Sequence, residues 1–187
     1  MNTQKVWFVT GASKGLGLTL VKRLLNEGHS VAATSRNVSE LKSAVDSESA
    51  SFLPLEMDLI NEASVSESIK KTADHFGKID IIVNNAGYGQ LGTLEELTDE
   101  ESRKNFDTNV FGSLNVIRKA MPYLREQKNG HIINISSIGG LSGDFPGWGI
   151  YCATKFAVVG FTESLAAEAK EFGMIDEVLL PKKEIKK

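Results

Sequence analysis

Short apolar runs recur along the chain, each followed by a longer stretch in which apolar residues return every three or four positions. The runs fall at 6–10, 30–34, 52–56, 79–83 and 131–136, beginning with Val6-Trp7-Phe8-Val9. They lack strict polar alternation and are too short for helices, so they predict strands buried on both faces. The intervening stretches predict helices over 15–27, 38–48, 63–76, 99–126 (bent near Asn109) and 150–172. In the first, Leu16, Leu20 and Leu24 form the expected apolar stripe. Strand and helix alternate without an internal linker, low-complexity segment or longer repeat. The fold class predicted is α/β: a doubly wound parallel sheet flanked by helices on both faces. Right-handed crossovers then place a binding crevice at the carboxyl ends of the strands, near the point where strand order reverses.

Composition narrows the picture mainly by exclusion. A length of 187 residues fits one domain, and a net charge of −3 gives no hint of a nucleic-acid surface. No apolar stretch approaches the about 20 residues of a membrane span. The first residues run straight into the first strand with no signal-peptide pattern, and the single cysteine, Cys152, leaves no internal disulfide. Both suit a cytoplasmic protein. Cys152 itself is expected to be a small packing residue. His29, His75 and His131 are far apart and without ligand spacing, so no metal site is expected.

Two segments carry candidate chemistry. Thr10-Gly11-Ala12-Ser13-Lys14-Gly15-Leu16-Gly17 follows the first strand and opens the first helix. Glycines let such a turn bend sharply and approach a pyrophosphate, whose charge is favoured at a helix N-terminus. At the other end, Tyr151 and Lys155 lie four residues apart, which puts both on one face of a helix. A phenol ordinarily ionises near ~10, too high for an efficient acid at neutral pH; a nearby ammonium favours the phenolate. Taken singly, each pattern is also compatible with an ordinary strand–helix turn or a pair of surface residues.

Together with Asn84-Asn85-Ala86-Gly87 after the fourth run, and Asn109 in Thr108-Asn109-Val110, these segments resemble the short-chain dehydrogenase/reductase family. The resemblance spans about residues 5–173, with every motif in the family's order. It implies a Rossmann-type fold and an NADP(H)- or NAD(H)-dependent exchange of hydride with a carbonyl or secondary alcohol, a small molecule. On this resemblance Tyr151 is the general acid/base, and Lys155 tunes it and holds the nicotinamide ribose. Ser137 steadies the substrate oxygen, and Asn109 positions a water behind the lysine. Gly11, Ser13, Lys14, Gly15, Leu16 and Gly17 would cradle the pyrophosphate, with Asn85, Ala86 and Gly87 lining the cofactor. Asp58 and Leu59 match adenine-contacting positions, although an acid after a strand could equally cap the next helix. A homodimer or homotetramer through the two long helices is implied in the same way.

The cofactor choice has its own signal. An NAD site usually places a carboxylate about 20 residues beyond the glycines. Between Gly28 and Asn37 there is none; Arg36 stands there, and Lys14 sits inside the turn. Two cations suit a 2′-phosphate, which predicts NADP(H) over NAD(H).

Two departures qualify the family pattern. Ser137 precedes Tyr151 by fourteen positions, one more than is usual, and the glycine-rich segment 141–149 can absorb the extra residue. Ser136, Ser142 and a plain turn serine remain alternatives. After Gly173 the sequence diverges, dividing the chain into a Rossmann domain over 1–173 and a segment over 174–187. That segment holds a degraded sixth strand, with Asp176 and Glu177 where apolar residues are expected, and a basic tail from Lys182 to Lys187. The family's last strand and substrate lid are then expected to be lacking, with the fifth strand left as an edge. The alternative to an active oxidoreductase is a shortened relative that binds dinucleotide, or pairs with other subunits, without useful catalysis. Leu91, Phe145 and Trp148 near the expected cleft suggest a partly apolar substrate.

Overall fold

A computed structural model describes residues 4–179; Pro181 and the basic tail lie outside the described residues. The apolar runs form six strands: β1 (Val6–Val9), β2 (Ser30–Ser35), β3 (Phe52–Glu56), β4 (Ile81–Asn84), β5 (Gly130–Ile135) and β6 (Met174–Leu179). All neighbours are parallel, in the order β3-β2-β1-β4-β5-β6. The doubly wound sheet predicted from the βα alternation is the observed one, with its reversal of strand order between β1 and β4.

Why the runs lack polar alternation is now explicit. Successive residues enter opposite layers: Phe8, Ala32, Ile82 and Ile132 join one core cluster, while Val9, Ala33, Val83 and Ile133 join the other. The first cluster is completed by α3 (Glu62–Phe76) and α5 (Gly112–Gln127), the second by α1 (Gly15–Asn26) and α2 (Val38–Val45). With helices on both sides, neither face of a strand can be polar.

Ile79 and Asp80, expected in the fourth strand, precede β4. The buried Asp80 carboxylate accepts from the Val6 amide at 2.7 Å and pairs with the Lys78 ammonium at 2.9 Å. It ties the start of β1 to its neighbour, and a buried charge with such partners is tolerated where a lone one is not.

Three helical expectations change in detail. In α1 the buried residues are Gly17, Val21 and Leu24; Leu16 is half exposed, so the stripe is rotated from the one expected. The single helix expected over 99–126 is two, α4 (Asp99–Phe106) and α5, joined by a π turn at Asp107–Phe111. The last long helix, α6, runs Gly149–Ala169 and ends in a short 3₁₀ turn, Lys170–Phe172.

The sixth strand is formed. β6 pairs with β5 along its whole length, from Gly130 opposite Met174 to Ile135 opposite Leu179. The fifth strand is therefore not an edge, contrary to expectation, because the backbone of 174–179 supplies its hydrogen bonds whatever its side chains. The misplaced acids are nonetheless real. Both Asp176 carboxylate oxygens are buried without a partner, whereas Glu177 is half exposed and lies 3.4 Å from the His131 ring.

Candidate active site

A cleft of about 1100 Å³ runs along the carboxyl ends of the strands, at the reversal between β1 and β4. Its floor begins at the glycine turn. Gly11 and Gly15 adopt φ of +66° and +58°, the left-handed region that glycine enters freely. A Cβ on Gly11 would fall 2.7 Å from the Ala86 Cα, so this glycine lets the β1 and β4 turns touch. A Cβ on Gly17 would fall 2.5 Å from both the Asn85 amide nitrogen and the Gly11 carbonyl. Gly17 thus seats α1 on its own turn and does not itself line the cleft.

Thr10 and Asn85 hold the two turns together. The Thr10 hydroxyl accepts from the Asn85 and Ala86 amides, each at 3.0 Å. The Asn85 side chain donates to the carbonyls of Thr10 and Gly11 at 2.9 and 3.0 Å. Helices α2, α3 and α4 are capped by Asn37, Asn61 and Thr98, whereas α1 starts after Lys14 with no side-chain cap. Its first amides are open, and Lys14, Gly15 and Leu16 face the cleft. Open amides, close backbone approach and a nearby ammonium are a donor set that fits a pyrophosphate.

Beyond the turn, Arg36 at the end of β2 lines the same cleft as Lys14, Ser13, Asp58 and Leu59. Glu40, in the first turn of α2, reaches this rim too, three residues beyond the stretch 28–37 that lacks a carboxylate. The Asp58 carboxylate accepts from the Ile60 amide at 3.2 Å, while Asn61 caps α3, so Asp58 shapes its own turn and does not cap the helix. Leu59 lies buried below, its carbonyl held by the Asn115 amide at 3.0 Å.

At the far end α6 brings Tyr151 and Lys155 onto the cleft, one turn apart. The Lys155 nitrogen stands 5.8 Å from the centre of the Tyr151 ring and donates to the Ile135 carbonyl at 2.9 Å. Only 7% of Lys155 is exposed, and that burial pushes its pKa down from 10.5 to about 8. Cys152, next to Tyr151 on α6, is buried against Gly139.

Asn109 lies on the π turn, where the wider spacing interrupts the regular helical ladder. Its side chain accepts from the Tyr88 amide at 3.0 Å and donates to the Tyr88 carbonyl at 3.0 Å and to the Thr154 hydroxyl at 3.1 Å. It does not line the cleft. Gly87 keeps the space between Asn109 and Lys155 clear: a Cβ there would be 3.0 Å from the Asn109 oxygen and 3.7 Å from the Lys155 nitrogen.

The serines divide their roles. Ser136 lines the cleft, but its hydroxyl donates to the Lys155 carbonyl at 3.2 Å and so holds α6. Ser137 is not among the lining residues. Its hydroxyl accepts from the Gly139 amide at 3.3 Å, and Gly139 abuts the Tyr151 ring. Thr10 opens the glycine motif but was given no role of its own; Asn105, which donates to the Tyr88 carbonyl at 3.1 Å, and Thr154 were missed by sequence reasoning, since lone polar residues carry no pattern. Among the described residues no group of His, Cys, Asp and Glu is arranged for a metal, and no helix is long and apolar enough to cross a membrane.

A parallel sheet with this strand order, a glycine turn at its reversal and a tyrosine–lysine pair across the same cleft define a Rossmann-type protein. Residues 5–179 match the family described as short chain dehydrogenase, and the chain belongs to that family. It is 37% identical over 178 residues to an oxidoreductase, BOA17, of Botryotinia fuckeliana, covering 95% of this chain and 65% of the relative. Among solved structures it is similar to ElxO with NADP bound (TM-score 0.90, 32% identity, 96% of this chain and 73% of that one). It is equally similar to a 3-ketoacyl-(acyl-carrier-protein) reductase from Brucella melitensis complexed with NADH (TM-score 0.90, 30% identity, 95% and 75%). The chain spans between 57% and 65% of the length of the first curated relatives it matches.

Proposed function

We propose that the cleft binds a nicotinamide dinucleotide, NADP(H) in preference to NAD(H), and that the chain interconverts a carbonyl and a secondary alcohol. The observation that carries this reading is that Tyr151 and Lys155 open onto the same cleft as the uncapped start of α1. Gly11, Ser13, Gly15 and Leu16 hold the pyrophosphate, and Asp58 and Leu59 flank the adenine. Lys14 and Arg36 take the 2′-phosphate, with Glu40 and Asp58 as opposing charges on the same stretch of the cleft. One similar structure holds NADP and another NADH, so the preference rests on these cations.

Bound nicotinamide supplies or accepts the hydride. Tyr151 gives its hydroxyl proton to the carbonyl oxygen as the alcohol forms, and takes it back in the reverse direction. Ser137, which does not line the cleft here, turns its hydroxyl from the Gly139 amide to donate a hydrogen bond to that oxygen, where charge develops. Lys155 holds the ribose and, as an ammonium in a desolvated setting, favours the phenolate. Asn109 fixes the Gly87–Tyr88 wall and leaves room behind the lysine. We further propose a cytoplasmic homodimer or homotetramer; exposed Phe111 and Phe156, beside α5 and on α6, support pairing through the long helices.

The test is NADPH consumption with a panel of ketones and aldehydes. Tyr151→Phe should lower it by roughly 10²- to 10⁴-fold, the range for loss of a positioned proton donor. Arg36→Ala should cut the NADPH-over-NADH binding ratio at least about tenfold, the effect of losing one charge-assisted pair. Tight NADPH binding without consumption would support the alternative of a dinucleotide-binding relative, and equal binding of both cofactors would remove the preference.

A further inference from the structure

Two loops flank the Tyr151 end of the cleft: residues 85–98 between β4 and α4, and residues 136–148 between β5 and α6. They contribute seven of the thirteen exposed large apolar side chains among the described residues, including Leu91 at 64%, Leu94 at 72%, Phe145 at 37% and Trp148 at 37%. Scattered exposed apolar residues are ordinary; a concentration beside a reacting group is not.

The loops are packed against each other through glycines. The Gly92 amide donates to the Gly147 carbonyl at 2.9 Å. A Cβ at Gly89 would lie 2.7 Å from the Trp148 ring, and one at Gly149 would lie 2.8 Å from Leu94. The Trp148 ring stands edge-on to Tyr151, centres 5.5 Å apart and planes at 68°. The apolar surface therefore starts at the reacting ring and is built from both loops. The stretch 88–94 has no charged residue and 141–148 only Asp144. Lys14, Arg36 and Asp58 occupy the other end of the cleft.

We propose that Trp148 is a specificity residue, and that it forms with Leu91, Leu94 and Phe145 a surface selecting neutral carbonyl compounds with one large apolar substituent. This rests on the oxidoreductase reading above and names its substrate class. The carbonyl meets Tyr151, and the apolar substituent lies over Trp148 against the paired loops. Continuity with the Tyr151 ring favours a substrate over a second copy of the chain.

The experiment uses Trp7→Phe protein, in which Trp148 is the one remaining tryptophan, loaded with NADP⁺ and titrated with methyl ketones bearing alkyl chains from ethyl to octyl. Trp148 emission is expected to respond, with affinity rising roughly two- to fourfold per added methylene, as half to full burial of that group requires. The same dependence is expected in kcat/KM for NADPH-driven reduction. It should flatten in Trp148→Ala, and in Gly89→Ala, where the added methyl displaces the ring. Affinity independent of chain length would overturn the proposal, as would an unchanged slope in both variants. Emission that follows protein concentration without ketone would assign the face to self-association and also overturn it. Chain-length-dependent binding without NADPH consumption would uphold the apolar surface while removing the proposed reaction.

Discussion

The Lys155 ammonium donates to the carbonyl of Ile135 at 2.9 Å, tying the second turn of α6 to the end of β5. That bond satisfies one of the three ammonium N–H groups, while burial removes water from the rest without an equal return. The folded-state pKa of about 8 lies below the ordinary 10.5, so over that window the unfolded chain binds more protons than the folded one. Folding stability from this group therefore rises as pH climbs from about 8 to 10.5, and the charged lysine is a cost below it. Lys155→Met is expected to gain about 1 kcal/mol in urea unfolding near neutral pH while losing turnover, a trade of stability for function. The gain should shrink as the pH is raised through that window.

Asn109→Ala should be costly although the residue does not face the cleft. It strips the Tyr88 amide of its partner, leaves the Tyr88 carbonyl with the Asn105 side chain alone and leaves Thr154 short of one bond. Leaving such buried groups unpaired costs about 2–4 kcal/mol in unfolding free energy. Faster hydrogen exchange at the Tyr88 amide would localise the damage; unchanged exchange would count against the clamp.

Two glycine-to-alanine substitutions should differ in sign. Gly17→Ala places a methyl 2.5 Å from Asn85 and Gly11, so the turn must shift. We expect about 1–3 kcal/mol of destabilisation and a drop in dinucleotide affinity, measured by thermal unfolding with and without NADPH. Gly160, in α6, has open space around it, and Gly160→Ala should stabilise by up to about 1 kcal/mol through helix propensity.

Asp176, on β6, faces a cavity of about 350 Å³ between α6 and β6, with Glu163 on the α6 wall. Burial raises its pKa from 3.8 to about 6, so the folded chain binds more protons there and stability falls as pH rises from 3.8 to about 6. Asp176→Val should then stabilise near neutral pH by about 1–2 kcal/mol, discounted for its partial burial, with little gain near the acid end of that window. An equal gain at both pH values would show that packing, and not charge, is the cause.

Legibility from sequence followed the range of the interactions involved. The glycine turn was readable because a left-handed backbone and an open helix end depend on a few adjacent residues. So was the placing of Tyr151 and Lys155 on one face, since helical period alone ensures it. The strand at 174–179 was undervalued because its side chains suggested degradation, while pairing with β5 needs only backbone. The π turn was expected only as a bend, because its cause is the packing of Asn109 between Tyr88 and Thr154.

What the amino-acid order determined by itself is the succession of strands and helices, the turn that opens α1 and the membership of a family, all of which rest on local period and contiguous motifs. Tertiary structure decided which serine lines the cleft, that Glu40 joins Arg36 at its rim, and that two loops whose touching residues, such as Gly92 and Gly147, lie more than fifty positions apart share one apolar surface at Tyr151. The physical reason is that sheet order and register bring those residues together, and neither is written in any one segment of the chain.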